Sequence, residues 1–334
     1  MASTIRDIAK HSGLAIGTVS KFLNGQSVRD KNKQKIESAI AALSYQVNQI
    51  ARGLKTNKSM TVGVLTADLS DVFAGAIISE TGHILNEYGY GMIVCEYADD
   101  SDMYETQLKF LLSKKVDGII SGSPHKSIGH LKNIIGAIPM VFYDSVDKSV
   151  CADSVLVDNM ESIYTATTEI IKRGHRRIGI IVSTESSMTS DERYKGYINA
   201  LDTYYIDVTQ ELIRNGSYTI EGGYRAMNEL LDMSNAPSIV IVTNYYMTIG
   251  AYMAIHNRKL SIPGDISFMG FDKIIIADMI KPALSIIEQP MTEISRSVAE
   301  LLLDRMSGKK TGSPIIQRLK SGVFITDSIA TIDV

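Results

Sequence analysis

From residue 61 onward, short runs rich in valine and isoleucine alternate with longer amphipathic stretches. Nine runs have the character of strands: TVGVLTAD, GMIVCEYA, DGIISGSP, PMVFYD, SVLVDN, RIGIIVST, SIVIVT, SFMGFD and LSIIEQP. Between most of them lie stretches of helical length, among them 73–88, 102–115, 160–174, 221–233, 246–258 and 292–308. Such alternation is typical of parallel sheets covered on both faces. Because nine strands are too many for one compact sheet, the sequence predicts an α/β body of two doubly wound parallel-sheet subdomains.

Polar segments follow the carboxyl ends of several of these strands. They are ADLSDVF, SGSPH, STESSMTSDER, TNYY and GFDK. In open α/β sheets, ligands bind outside the carboxyl ends of the strands. The sequence therefore predicts a cleft that both subdomains share and that these segments line.

The first sixty residues differ, because their apolar residues recur at helical spacing. In TIRDIAKHSG, Thr4 is placed to cap a helix and Gly13 to end it. The next stretch, SGLAIGTVSKFLNG, predicts a weak helix, since Ala15 stands at the cap and Gly17 in the first turn, where glycine costs about 1 kcal/mol relative to alanine. A third helix is predicted in DKNKQKIESAIAALSY. Two short helices joined by a tight turn and braced by a third predict a small all-α helix-turn-helix unit.

The charge of the chain is unevenly distributed. Residues 1–60 hold ten lysines and arginines against three acidic residues, a formal net charge of +7, whereas the rest of the chain carries −10. A basic head on an acidic body is the pattern expected where one end neutralises phosphates. The alternative is a solvated basic helical face. The segment QVNQIARGLKTNKSM, polar and basic, is predicted to be a linker, either a short helix or coil.

Other classes of protein find little support in the sequence. No apolar run reaches the roughly 18 residues that cross a membrane, and MASTIRDIAKHSG lacks the apolar core of an export signal. Cys95 and Cys151 lie among apolar residues and are predicted to be reduced core residues, with a disulfide or redox pair as the alternative. The histidines show no metal-ligand spacing, and no phosphate loop or nucleophile motif occurs. An enzyme, a cofactor and a metal site are therefore not expected.

Six segments, in order, resemble the LacI/GalR family of bacterial transcription regulators across nearly the whole chain. They are TIRDIAKHSGLAIGTVSKFLNG with the hinge-like ARGLK, VDNMESIYTATTEIIKRGHRRIGII, GYRAMNELL, IPGDISFMGFDK and ALSIIEQPMTEISRSVAELLLDRM. The resemblance implies a DNA-binding headpiece at 1–46, a hinge at 47–60 and a body of periplasmic-binding-protein type I at 61–334. It divides the body into an N-subdomain, about 61–160 plus 291–325, and a C-subdomain, about 161–290.

The family implies a homodimer on a pseudo-palindromic operator, because two-fold protein symmetry is mirrored in the half-sites. The missing export signal and the reduced cysteines predict a cytoplasmic location. Tetrameric members carry a heptad tail, whereas this chain ends in FITDSIATIDV, so a dimer is expected.

Matching the family motif predicts the residues that contact DNA. Ile16, Gly17 and Lys21 are the positions that read bases, and Lys21 can donate to a guanine. Ile16 as a headpiece core residue is the alternative. Leu54 is placed as a wedge in the minor groove, although on sequence alone it would more often be packing. The other DNA-contacting positions are Thr4, Thr18, Ser20, Asn24, Arg52 and Lys55.

The same matching predicts the residues that contact the effector. Arg193 and Asp272 are expected to come from opposite subdomains and to bridge hydroxyls of a ligand, with a direct salt bridge between them as the alternative. Further lining residues are Phe73, Ser123, Asp144, Thr189, Tyr218 and Asn244.

The chain departs from the family at three positions. Tyr245 replaces a frequent aspartate, so that a Tyr-Tyr pair is expected to fill space and either to narrow the pocket or to alter how its closure is signalled. Ser187 replaces the arginine of a purine-type member, which favours a sugar or sugar derivative as effector. Val47 replaces a frequent proline before the hinge.

Taken together, these features predict a ligand-responsive transcriptional repressor. The runner-up is a soluble sugar-binding protein of the periplasmic-binding type with no role on DNA. That reading explains the body alone and leaves the basic helix-turn-helix head without a purpose.

Overall fold

The computed structural model describes most of the chain. The described residues are 3–23, 26–45, 58–98, 100–122, 131–147, 149–183, 187–274, 277 and 280–332. They divide into two compact units, residues 1–60 and residues 61–334, called here the head and the body.

The head contains three helices around a small apolar core. They are α1 (Ile5–Ser12), α2 (Ile16–Leu23) and α3 (Asp30–Ala42). At the start of α1 the Asp7 carboxylate accepts hydrogen bonds from the Thr4 backbone N–H and hydroxyl at 2.8 and 2.7 Å, and Gly13 ends the helix at φ 68°. The predicted cap and stop are thus confirmed. The core side chains are Ile8, Ala9, Val19, Ile36 and Ala39.

The first half of the body, the N-subdomain, is built on a six-stranded parallel sheet in the order β11-β5-β4-β3-β1-β2. Its strands are β1 (Thr61–Thr66), β2 (Gly91–Glu96), β3 (Gly118–Ser121), β4 (Met140–Tyr143), β5 (Asp153–Val157) and β11 (Ile316–Leu319). Its helices are α4 (Val72–Glu87), α5 (Ser101–Ser113), α6 (Leu131–Ile135) and α11 (Met291–Met306). Leu111 of α5 packs over Gly63 and Leu302 of α11 packs over Gly118, so helices cover both faces.

The second half, the C-subdomain, is built on another six-stranded sheet in the order β12-β10-β9-β8-β6-β7. Its strands are β6 (Ile178–Val182), β7 (Ile213–Asn215), β8 (Ile239–Val242), β9 (Ser267–Phe271), β10 (Ser285–Glu288) and β12 (Gly322–Phe324). Its helices are α7 (Asn159–Lys172), α8 (Met188–Thr203), α9 (Ile220–Leu231) and α10 (Tyr245–Asn257). The strands are parallel except for β12, which runs antiparallel to β10.

The continuous apolar strands of this sheet are explained by burial on both faces. In β8, Val240 and Val242 pack into the core formed with α9 and α10, whereas Ile239 and Ile241 pack into the core formed with α7 and α8. Successive side chains of a strand point to opposite faces, so a strand buried on both sides needs apolar residues at every position.

The chain crosses between the two halves of the body at three places: from β5 to α7, from β10 to α11, and from β11 to β12. The last crossing differs from the expected boundary of the N-subdomain at residue 325, because β12 pairs with β10 and belongs to the second sheet. A short edge strand such as β12 has too few apolar residues for the sequence to indicate which of the two sheets it joins.

The two cysteines are both free, and their surroundings differ from the prediction at one of them. Cys95 is buried in β2, as expected. Cys151 is exposed, because it precedes β5 in a loop and does not enter the core.

Candidate functional site

A cavity of about 490 Å³ lies where the strands of both sheets end at their carboxyl side. We call it the strand-end cavity. It receives all seven predicted effector residues that the structure describes: Phe73, Asp144, Thr189, Arg193, Tyr218, Asn244 and Asp272. The eighth, Ser123, lies outside the described residues, although its neighbour Gly122 lines the cavity.

Two of the carboxylates occupy equivalent places in the two subdomains. Asp144 directly follows β4, and Asp272 directly follows β9. Both adopt the left-handed backbone conformation, at φ 52° and 59°. This conformation is uncommon for residues other than glycine, and aspartate and asparagine are among those that tolerate it best. Strained residues of this kind cluster at functional sites, which supports a role for both aspartates.

Arg193 is held in place by neutral partners. Its Nε donates to Asn159 Oδ1 at 2.8 Å and its Nη1 donates to the Thr243 carbonyl at 2.6 Å. The guanidinium also stacks on the Phe271 ring, 3.9 Å from the centroid. Arg193 is 4% exposed, so its charge is held in a fixed orientation at the wall of the cavity.

Arg193 and Asp272 do not bridge the subdomains, which corrects one expectation. Arg193 lies on α8 and Asp272 follows β9, so both belong to the C-subdomain. The alternative of a direct salt bridge is also wrong, since none joins these two described residues. Instead Gln289 donates from Nε2 to both Asp272 oxygens, at 3.2 and 3.0 Å.

Each of these two residues is bonded to a place where the chain crosses between subdomains. Asn159, the partner of Arg193, is the first residue of α7 and follows the crossing from β5. Gln289, the partner of Asp272, lies in the crossing from β10 to α11. A ligand that contacts Arg193 and Asp272 is therefore one hydrogen bond away from two of the three crossings.

The carboxylates of the cavity are poorly solvated. Burial raises the pKa of Asp144 to about 6, although the nearby Arg193 guanidinium and the Thr189 hydroxyl favour its charged form. Burial also raises the pKa of Asp272 and of Asp71. A buried carboxylate is costly unless it finds a donor or a cation, so these groups are suited to a ligand that supplies one.

Sequence reasoning did not single out several polar residues of the cavity, among them Asp71 and Gln289. Asp71 caps α4 by accepting from the Ala74 N–H at 2.7 Å, and an aspartate before an apolar helical run was the signal for it. Gln289 follows strand β10, so its place at a strand end was also visible.

The Tyr-Tyr pair enters the cavity as expected, with one further contact. Tyr245 and Tyr246 both line it, with their rings edge to face and 5.3 Å between centroids. The Tyr246 hydroxyl donates to the Ser70 carbonyl at 3.0 Å and accepts from the Val72 N–H at 3.2 Å. Tyr246 lies in the C-subdomain and both partners lie in the N-subdomain, so this hydroxyl joins the two halves.

Ser187 is a structural residue at the start of α8. Its hydroxyl accepts from the Ser190 N–H at 3.1 Å and lies 3.0 Å from the Tyr218 hydroxyl. Ser187 therefore caps the helix that carries Arg193.

In the head, the predicted reading positions lie on the surface of α2. Gly17 and Lys21 are exposed and Ile16 is 49% exposed, so Ile16 is not a core residue. Val19 is fully buried, and Thr18 and Ser20 are partly exposed at its sides. Thr4 is exposed at the start of α1. The remaining DNA-contacting predictions, Asn24, Arg52, Leu54 and Lys55, lie outside the described residues, as does Val47.

Comparison with known proteins matches both units. The family model described as bacterial regulatory proteins, lacI family, matches residues 4–48. The model described as periplasmic binding proteins and sugar binding domain of LacI family matches residues 59–322. The chain belongs to the LacI family. Its members are regulators of transcription, so this chain is a DNA-binding regulator and not an enzyme.

Individual relatives of this LacI-family chain cover nearly its whole length. The HTH-type transcriptional repressor PurR of Photorhabdus laumondii is 31% identical over 94% of each chain. The structure of the transcriptional regulator CelR with cellobiose is 25% identical, covers 98% of this chain and 99% of its own, and has a TM-score of 0.73. A Lac repressor dimer bound to operator and the anti-inducer ONPF shares the fold, with 23% identity, coverage of 99% and 100%, and a TM-score of 0.87.

The helices in the described part of the chain include no candidate for a membrane span. No group of three histidine, cysteine, aspartate or glutamate residues there is arranged to hold a metal ion.

Proposed function

We propose that this chain is a repressor that binds a pseudo-palindromic operator as a homodimer and acts in the cytoplasm. A small molecule in the strand-end cavity controls its affinity for DNA. The observation that carries the proposal is the combination of an exposed recognition face on α2 with a cavity that both halves of the body line. A binding protein without a role on DNA would have no use for that exposed face or for the +7 charge of the head.

On the operator, Lys21 is the residue proposed to donate to a guanine, a contact that discriminates bases by about 1–3 kcal/mol. Gly17 offers no side-chain donor or acceptor, and Ile16 offers apolar contact alone. Much of the specificity is therefore assigned to the Leu54 wedge, flanked by Arg52 and Lys55, and to the deformability of the DNA. Thr4, Thr18, Ser20 and Asn24 are proposed to contact the backbone.

Ligand control is proposed to work through the relative position of the two subdomains. A ligand shifts an equilibrium only if it binds one arrangement better than the other. Arg193 and Asp272 are bonded to the crossings, and Tyr246 and Thr189 bond across the cavity, so these contacts change when the halves move. Residues 47–60 carry the change to the head in this proposal.

The proposed ligand is a sugar or sugar derivative. Aromatic faces beside carboxylates suit a hydroxylated ring, because the rings cover its C–H faces while the carboxylates accept from its hydroxyls. The cavity provides Phe73, Tyr97 and Tyr218 for the first role, and Asp144 and Asp272 for the second. The relative CelR was solved with cellobiose, which supports this class of ligand.

The DNA part of the proposal is tested by selecting bound sequences from random duplexes with the full-length chain. We expect enrichment of an inverted repeat. Lys21→Ala should lower affinity for the selected site by about 5- to 150-fold, as expected for loss of 1–3 kcal/mol, and affinity for unrelated DNA much less. Fluorescence anisotropy at fixed salt measures both.

The matched control is Lys309→Ala, which removes the same charge from an exposed turn of the body. It should leave affinity for the selected site unchanged. Failure to enrich any sequence, or an equal loss in both variants, would favour the reading as a binding protein without a role on DNA.

A further inference from the structure

The strand-end cavity has an excess of acidic side chains. Among the described residues that line it, the charged ones are four aspartates and one arginine: Asp68, Asp71, Asp144, Asp272 and Arg193. Asp68 lies at the exposed edge, while Asp272 is 4% exposed. With every carboxylate ionised, the described lining carries a formal charge of −3. An anionic ligand would meet this charge in a poorly solvated site, where repulsion between like charges is strong.

The cavity also has more acceptors than donors to match them. Asp144 Oδ1 is buried without a hydrogen-bond partner, and so is Gln289 Oε1. Gln289 is 6% exposed, and its amide nitrogen is already used on Asp272, so its remaining group can only accept.

The single arginine does not balance these acceptors. Its Nε and Nη1 are taken by Asn159 and the Thr243 carbonyl, which are neutral. Arg193 stabilises the charged form of Asp144 from a distance, yet the pKa of Asp144 remains raised because burial outweighs it. The one described cation of the cavity thus faces four carboxylates, and two of its three guanidinium nitrogens already donate to other groups, so a further cationic donor is left for the ligand to supply.

We propose that the ligand of this cavity is an amino sugar whose protonated amine lies against Asp144. An ammonium group has three donors, no acceptor and one positive charge, which is what Asp144 Oδ1 and the excess of carboxylates lack. The aromatic faces then cover the ring, and Asp272 accepts from its hydroxyls. This inference rests on the proposed function, since it names the ligand of the same cavity, and it separates amino sugars from neutral and phosphorylated ones.

The test is isothermal titration of the full-length chain at pH 7 with matched sets of hexoses. Each set contains the neutral sugar, its 2-amino form and its 6-phosphate, in the gluco, galacto and manno configurations. We expect at least one amino sugar to bind ten times more tightly than its neutral counterpart, and no phosphate to bind. Tighter binding of the neutral form, binding of a phosphate, or no binding of any amino sugar overturns the inference.

Variants show whether the preference comes from the named carboxylate. Asp144→Asn keeps the shape and tolerates the positive φ, and it should reduce the preference for the amino form below threefold. Asp71→Asn is a second variant, since asparagine caps helices as well as aspartate does, and it should reduce the preference partly. Asp102→Asn removes the same charge from an exposed position on α5, outside the cavity, and should preserve the preference. A preference that survives Asp144→Asn overturns the assignment.

Failure of this inference is distinguishable from failure of the proposed function. A neutral sugar that binds and changes operator affinity supports the repressor and overturns the amino sugar. An amino sugar that binds through Asp144 and leaves operator affinity unchanged supports the ligand and counts against the repressor.

Discussion

At the scale of residues, the sequence indicates which side chains reach the cavity, but it does not indicate which of them form hydrogen bonds with one another. The presence of Asp144 and Asp272 in the cavity could be predicted, because each follows the carboxyl end of a strand and matches a position of the family. Their partners do not follow, because hydrogen bonds such as that from Gln289 to Asp272 depend on how a crossing segment folds back. The expected bridge between Arg193 and Asp272 was wrong because both residues belong to the C-subdomain.

The raised pKa of Asp144 predicts how the stability of the ligand-free chain depends on pH. Its pKa is raised to about 6 in the fold, so the folded state holds a proton that the unfolded state loses near pH 4. Stability from this group is fully present below about pH 4 and is lost as the pH rises through about 6. Asp144→Asn mimics the protonated form, so it should raise Tm at pH 7.5, by roughly 2–6 °C, and by about half as much at pH 5.

The groups that face Asp144 are Arg193, Glu192 and Thr189 on α8 and Asp272 after β9, and the variant leaves all of them in place. Thermal unfolding followed by circular dichroism measures the change in Tm at each of the two pH values. An equal shift at both pH values would show that Asp144 carries no unfavourable charge at neutral pH.

At the scale of elements, most of the fold followed from the sequence pattern. The strands and helices with apolar residues at regular spacing were predicted within a few residues. Helix α8 was not, since its buried face includes Thr189, Ser190, Arg193 and Gly196, and such a face shows no apolar periodicity. A helix that presents polar residues to a ligand is therefore the kind of element that the pattern hides.

Tyr246, the second residue of helix α10, leads to a prediction about ligand affinity. Tyr246→Phe removes both hydrogen bonds across the cavity, to the Ser70 carbonyl and from the Val72 N–H. A hydrogen bond contributes about 0.5–1.5 kcal/mol net, so ligand affinity should fall by roughly 5- to 150-fold if both bonds are made in the ligand-bound arrangement and broken in the other. Titration calorimetry measures the affinity.

The matched control for Tyr246→Phe is Tyr252→Phe, on the same helix. Tyr252 stacks on His256 and does not line the cavity. The Tyr252→Phe variant should bind the ligand with the same affinity as the unchanged chain. If Tyr246→Phe also binds with unchanged affinity, its hydroxyl does not hold the ligand-bound arrangement together.

At the scale of the whole molecule, the proposed function depends on coupling between two units of opposite charge. The head carries +7 and the body −10, in line with the proposal that DNA binds to the first and the ligand to the second. Within the body, an ion pair joins the two subdomains beside the third crossing. Arg318 Nη2 of β11 lies 2.7 Å from Glu192 Oε1 of α8. The sequence indicated two units and two sheets, but which contacts span the crossings depends on packing between distant segments.

If the strand-end cavity controls DNA affinity, as proposed, operator affinity must change when the cavity is filled. Operator affinity of the full-length chain is measured by fluorescence anisotropy with and without a ligand that calorimetry shows to be saturating. Coupling of about 1–3 kcal/mol predicts a change in operator Kd of about 5- to 150-fold, in either direction. An operator Kd that stays the same within twofold while the cavity is fully occupied would contradict the account.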